Sequence, residues 1–276
     1  MHLDRRWVFV GIALAVVVPV VTGLTLPLGK IAPPTVMVYD AIEALQPGDP
    51  IMIAVDYGPA SMPELHPMAR ALVRHCLSRD LRVIALSLNQ QGTVLATDIL
   101  TTVGPEMGAV DGEDYVNLGF KVGYSVVILG LGESIKQVYP QTADGRRTAD
   151  LAIMEGVDSF EDVPLVVDLA ASNIPFAWIA FAHERYHQQL AVGITAVMAT
   201  DLYPYLQSDQ LVGIINGLKG AAEYEQLIDE PDFGMLGMSA QSMAHLLIIV
   251  LVIVGNIAYF AAGRAASRGP ERTSEQ

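Results

Sequence analysis

Two long apolar stretches, one near each end, constrain this chain more than anything between them. Trp7 to Leu28 carries no charge, and at helical rise it is long enough to cross a hydrocarbon core of roughly 30 Å. Leu246 to Ala262 is rich in Leu, Ile and Val, broken only by Gly255 and Asn256, with Met243 to His245 as an interfacial entry. Both stretches are therefore expected to span. Lys and Arg beside a span are retained on the cytoplasmic side. Arg5 and Arg6 precede the first span and Arg264, Arg268 and Arg272 follow the second, whereas the inner flanks hold Lys30 and the acidic Asp229, Glu230 and Asp232. The expected plan is a cytoplasmic N-terminus at 1–6, a span at 7–28 and an extracytoplasmic domain at 29–242. A span at 243–263 and a cytoplasmic tail at 264–276 complete a double-spanning protein of the cell membrane. A cleaved signal peptide is the alternative for the first span, although Val21-Thr22-Gly23 offers no clear small-residue cleavage site.

The formal charge of -14 sits mostly between the spans, which argues against nucleic acid as a partner. One cysteine, Cys76, permits no intramolecular disulfide, so the middle domain must be held by its core.

That domain reads as alternating strand and helix. Ile51–Val55 is a continuous apolar run ending in Asp56-Tyr57-Gly58-Pro59, the pattern of a buried parallel strand and its loop. A helix follows from Met62, then a strand over 81–88 and a helix over 92–103. Gly108 to Gly119 has no clean period and reads as a loop; Gly123 to Val138 reads as helix. Leu165–Leu169 is a strand, Pro175–Tyr186 a helix and Leu190–Val197 a strand. A last helix is expected from Ser208-Asp209, carrying Leu211, Ile214, Ile215 and Leu218 on one stripe and Gly213, Gly217 and Gly220 along its length. The sum is an α/β fold: a three-layer, Rossmann-like sandwich with a mostly parallel sheet of at least four strands, flanked by two transmembrane helices.

In such sheets ligands bind beyond the carboxyl ends of the strands, near the point where strand order reverses. That rule nominates Asp56, Tyr57, Glu64, His66, Ser172 and Asn173 as ligand-binding residues. Asp56, Glu64 and His66 could also serve as acid and base or hold a divalent cation, while Glu64 at a helix start and Asp56 beside a turn have structural explanations of equal weight. Asp111-Gly112-Glu113-Asp114 is shorter than an EF-hand loop. No P-loop, dinucleotide glycine fingerprint or nucleophile elbow is present.

His183-Glu184-Arg185-Tyr186-His187 resembles the HExxH motif of zinc metallopeptidases, in which His183 and His187 would bind zinc and Glu184 would activate its water. Three departures weigh against it. Arg185 puts a cation beside the metal position, the helix stops at once before Leu190, and no third ligand is specified. The leading expectation is accordingly a protein without a cofactor, and zinc enters only with the hydrolase alternative.

Val55-Asp56-Tyr57, Pro63-Glu64-Leu65, Asp114-Tyr115-Val116-Asn117-Leu118-Gly119, Pro204-Tyr205-Leu206 and Gly217-Leu218-Lys219-Gly220-Ala221-Ala222-Glu223-Tyr224-Glu225 lie within the stretch from Tyr39 to Glu225. This stretch resembles a group of prokaryotic membrane proteins with two terminal transmembrane helices around one α/β domain. The resemblance implies that architecture and no reaction. A polar side chain within a span seeks a hydrogen-bond partner, so Asn256 points to helix pairing with another membrane protein or a second copy. The expected function is a membrane-anchored binding or assembly module, a non-enzymatic subunit of a larger complex. The alternatives are a membrane-tethered zinc hydrolase and a substrate-binding component of a transport system.

Overall fold

The computed structural model of the chain describes residues 5–266, with side chains described up to Phe260. The ends that fix the expected orientation fall mostly outside that range: positions 1–4, the side chain of Arg264, Arg268 and Arg272. The chain divides into two compact units, Pro27–Met235 and the pair of segments Met1–Leu26 and Leu236–Gln276.

The first helix is α1 (Arg5–Thr22). Six strands follow along the chain, β1 (Pro50–Asp56), β2 (Arg82–Ser87), β3 (Tyr115–Phe120), β4 (Leu165–Ala170), β5 (Leu190–Ile194) and β6 (Gly213–Asn216). Around them run α2 (Pro33–Glu43), α3 (Met62–Ser78), α4 (Gly92–Glu106), α5 (Tyr124–Leu131) and α6 (Ile135–Val138). Then come α7 (Ile174–Trp178), α8 (Glu184–Tyr186), α9 (Ala199–Gln207), α10 (Gly217–Leu227) and α11 (Phe233–Ala266). All strands are parallel, in the order β3-β2-β1-β4-β5-β6.

A parallel sheet covered on both faces needs apolar side chains at odd and even positions alike. β1 meets this demand with Ile51, Ile53 and Val55 on one face and Met52 and Ala54 on the other. The first face packs on α2, α3, α4 and α10 through residues such as Val38, Leu72, Ile99 and Tyr224. The second packs on α5, α6, α7 and α9 through Ile128, Ile135, Trp178 and Leu202. The result is the expected three-layer α/β sandwich, the six strands of its sheet among the described residues all parallel.

Two stretches depart from the expected elements. Within Gly108–Gly119, read as loop, Tyr115 opens the edge strand β3. Asn117 and Gly119 hide its period, and Asn117 holds the strand in place through Thr93 O (3.1 Å), Thr97 Oγ1 (2.9 Å) and Gly119 N (2.9 Å). The last helix does not begin at Ser208: α9 ends at Gln207, Ile214 and Ile215 lie in β6, and α10 starts at Gly217, whose φ of +59° makes the strand-to-helix corner. The helical spacing of Leu211, Ile214, Ile215 and Leu218 came from a short buried strand running into a helix. Gly213 is in β6 because a Cβ there would lie 2.5 Å from Val38 Cγ2 on α2.

In the other unit, α1 and Phe233–Phe260 of α11 are long and apolar enough to cross a membrane, with mean hydropathies of 1.8 and 2.3 over their most apolar windows. The two segments touch: Leu26 N donates to Ser239 Oγ at 2.8 Å, and Gly11 faces Leu247.

The start of α11 is capped from α10. Glu225 is fully buried and accepts from the backbone N–H groups of Asp232 (2.9 Å), Gly234 (2.7 Å) and Met235 (2.8 Å). A carboxylate at this position satisfies donors the helix cannot pair itself. Glu225→Ala leaves these donors unpartnered and is expected to cost about 3 kcal/mol, a fall in Tm on the order of 10 °C. Thermal unfolding followed by circular dichroism in detergent checks this, with Glu225→Gln retaining part of the stability.

Candidate functional site

The strand order places the reversal between β1 and β4. Crossovers run outward from β1 through β2 and β3, and in the other direction from β4 through β5 and β6. Asp56 closes β1 and Tyr57 follows it; Ser172 and Asn173 follow β4. Four of the nominated residues thus flank the reversal point from its two sides.

Asp56 is completely buried. Its Oδ1 accepts from the Leu88 and Asn89 backbone N–H groups, at 2.5 Å and 3.2 Å, and from Ser87 Oγ at 3.3 Å. These bonds hold the β2–α4 turn over the end of β1. The turn is tight enough that a Cβ on Gly92 would lie 1.8 Å from the Val55 carbonyl oxygen.

Strand periodicity gives Asp56 a second acid that the sequence reading did not single out. Asp168 pairs in register with Ala54, and Asp56 with Ala170. Asp56 is two residues beyond Ala54 and Asp168 two beyond Val166, so both carboxyls share the face occupied by those residues. Asp168 is also sealed from solvent. Neither of its oxygens has a direct hydrogen-bond partner, and the same holds for Asp56 Oδ2, Tyr139 Oη and Trp178 Nε1. Tyr139 and Trp178 are both fully buried, and each is near enough to Asp56 to act on it or be acted on by it. Two acids and two buried donors therefore converge beneath the reversal point.

Burial pushes the Asp56 carboxyl up to about 6, against the pull of Leu88 N–H, Asp168, Trp178 and Asn89 N–H. Burial, followed by the charge of the neighbouring Asp56, drives Asp168 well above the carboxylate range. Two carboxyls in one dry site do not both ionise at neutral pH, so the pair retains a proton. Chemically, the site can store one proton and present a single negative charge.

Tyr57 points to the opposite face. Its hydroxyl lies 3.2 Å from His66 Nδ1, and His66 Nε2 lies 3.3 Å from Asp98 of α4. The carboxylate can only accept, which sets Nε2 as the protonated nitrogen and Nδ1 as acceptor from Tyr57. Burial, opposed by Asp98, holds His66 below its ordinary value, and burial raises Tyr57. The same arrangement recurs further along α3, where the Tyr224 hydroxyl meets His75 Nδ1 at 2.7 Å and His75 Nε2 meets Glu43 at 2.9 Å. Two Tyr–His–acid chains on one helix show a common way of satisfying a buried tyrosine hydroxyl, and only one of them is near the reversal point.

Asp56, Glu64 and His66 do not form a trio. Glu64 reaches from α3 to the turn after β5, where its Oε2 accepts from Ala196 N at 2.9 Å. Ser172 Oγ accepts from Ile174 N at 3.5 Å, and Asn173 is exposed ahead of α7. The partner of His66 is Asp98, a residue nearly two turns into α4 and without any local sequence signature.

The HExxH-like stretch has left the α-helix before its second histidine. Ile179–His183 forms a π turn, α8 lasts from Glu184 to Tyr186, and His187 has φ +56°, in the left-handed region. His183 Nδ1 lies 3.1 Å from the Gln188 carbonyl, to which it donates, and Glu184 is bonded by Gln210. Tyr186 anchors the segment to α5 by donating to Leu129 O at 2.9 Å and to Glu133 Oε1 at 3.1 Å. Among the described residues no three His, Cys, Asp or Glu side chains converge in a metal-binding group.

In comparisons with known proteins, the chain matches no family model and no curated sequence.

The acid pair has a measurable signature. The folded state holds its protons more tightly than the unfolded chain, so the pair's contribution to stability is complete below about pH 4 and is lost as pH rises through about 6 and beyond. Asp168→Asn removes the second titrating carboxyl and is expected to raise Tm above wild type at alkaline pH by on the order of 5 °C, with the advantage vanishing near pH 4. Thermal melts across pH in detergent check both the sign and the crossover.

Proposed function

We propose that this chain is a membrane-anchored α/β module acting by binding and assembly, a non-enzymatic subunit of a larger membrane complex. The observation that carries the reading is Asn256. It lies in the apolar part of α11, its side chain is exposed, and it has no hydrogen-bond partner among the described residues. An amide facing lipid leaves donors and an acceptor unmet, whereas an adjacent helix supplies them for a gain of about 1 kcal/mol per bond. Large apolar side chains exposed along both helices, among them Trp7, Phe9, Leu246, Ile249 and Ile257, fit the same setting.

The α/β unit supports binding in preference to turnover. Asp56 Oδ1, Glu64, His66, His183 and Glu184 are each engaged by other groups of the chain. The surface around the reversal point, at Ser172 and Asn173, is where a ligand of the domain would be met. We place that domain outside the cytoplasm, as the cations at the chain ends imply. Protease digestion of right-side-out vesicles tests the placement, and protection of the domain overturns it.

The assembly reading is tested by native electrophoresis of the full chain in mild detergent, wild type beside Asn256→Leu. Wild type is expected in a complex larger than one chain, and the variant shifts toward the single chain. A wild type already running as one chain, indistinguishable from the variant, overturns the proposal. Metal analysis of the same preparations addresses the hydrolase alternative: near-stoichiometric zinc lost in His187→Ala would replace the non-enzymatic reading.

A further inference from the structure

Away from the reversal point, a cavity of about 250 Å³ opens against the edge strand β3. One wall is α4, with Leu100 and Thr101; another is β3, with Tyr115; the third is the excursion over 141–147, which carries Asp144 and Arg146. The excursion is a built element. Gln141 and Arg147 close its base as a bridge, and Ala143 N donates to Asn117 O of β3 at 2.9 Å, covering the strand edge.

The hydrogen bonds around the cavity reveal what it lacks. Thr97 and Thr101 donate their hydroxyls to the Thr93 and Thr97 carbonyls. The Asn117 amide donates to Thr93 O and Thr97 Oγ1. Arg146 Nη2 meets Asp111 at 2.8 and 2.9 Å, and its Nε lies 2.7 Å from Asp144. The Thr97 and Thr101 hydroxyls, the Asn117 amide and Arg146 Nη2 are thus committed within the protein, and Arg146 Nε faces Asp144 as an ion pair without a hydrogen bond, while the carboxylate and hydroxyl oxygens retain lone pairs. Burial works against the Asp144 charge, yet the bond from Thr142 and the neighbouring Arg146 hold its carboxyl below the usual range. Two carboxylates against one guanidinium leave an excess of negative formal charge, and Arg146, clamped by both, is poorly placed to receive an anion.

The remaining lining is apolar, from Leu100, Ala143 and the Tyr115 ring. A volume just under that of ordinary small-molecule sites admits only a compact ligand. We propose that this cavity binds a compact primary amine, with the ammonium beside Asp111 and Asp144 and the apolar body against Leu100 and Tyr115.

Calorimetric titration of the detergent-purified full chain with isoamylamine, and with isoamyl alcohol as neutral counterpart, tests the proposal at neutral pH. The amine is expected to saturate a single site and the alcohol to bind at least about tenfold more weakly. Asp144→Asn should weaken amine binding by about tenfold. Ala143→Trp, a change on the exposed excursion that fills the space, should abolish binding while leaving the thermal melt unchanged. Equal affinity for amine and alcohol, no saturable heat from the amine in wild type, or undiminished binding in a folded Ala143→Trp protein would each overturn it.

Discussion

A sheet buried on both faces excludes charge, and the two central strands of this one carry Asp56 and Asp168 on the same face. Their burial is tolerated because each acid is stabilised differently. Asp56 accepts from the β2–α4 turn and thereby fixes the path by which the chain leaves β2. Asp168 has no such donor and is made bearable by keeping a proton. The geometry of the reversal point follows from this: the turn over β1 is pinned, Gly92 admits no side chain beneath it, and α4 starts at a fixed height. On the face that α3 and α4 both cover, Asp98 of α4 lies opposite His66 of α3.

Helix α3 carries much of the remaining polar organisation of the domain. His66 and His75 each join a buried tyrosine to a carboxylate on another element, Asp98 on α4 and Glu43 on α2. Arg70 and Arg74 reach Asp232 at 3.0 and 3.3 Å, next to the backbone that Glu225 caps. Glu64 holds the turn after β5. These bonds are directional where apolar packing is not, so they set the orientation of α3 against α2, α4 and α10. They also tie most of the titratable side chains of α3 to neighbouring elements.

Much of this architecture was legible in the sequence because its main strands are continuous apolar runs. Ile51–Val55 and Leu165–Leu169 announce burial on both faces, and strand–helix alternation then dictates parallel pairing. β3 and β6 were hidden for opposite reasons: Asn117 and Gly119 interrupt the period of an edge strand, while four residues of β6 are too few to show a period before α10 begins. At the reversal point, Asp56, Tyr57, Ser172 and Asn173 could be named because they sit at strand ends. Asp168 stands inside Leu165-Val166-Val167-Asp168-Leu169-Ala170, and a charge within such a run was a signal available from sequence. Asp98, Tyr139 and Trp178 had no comparable mark, since their positions depend on how helices and loops pack over the sheet. The HExxH-like stretch shows the reverse case, where spacing suggested a shared helical face but His187 adopts a left-handed backbone.

Asp168 and Asn256 pose one physical problem in two media. Each is a polar side chain without a hydrogen-bond partner among the described residues, one in a protein core and the other on an apolar helix. A carboxylic acid can resolve its situation alone, because retaining a proton removes the charge and leaves the smaller penalty of a buried neutral group. A carboxamide has no neutralising reaction available: in hydrocarbon it must bend toward water, bond its own backbone or meet another helix. Asn256 lies about six residues, roughly 9 Å of helix, from Ala262 and about ten residues, roughly 15 Å, from Leu246, both beyond the reach of so short a side chain. Its exposure is the observation on which the proposed membrane partner rests. The acid pair is closed chemistry within the fold, whereas the amide has no equivalent reaction of its own.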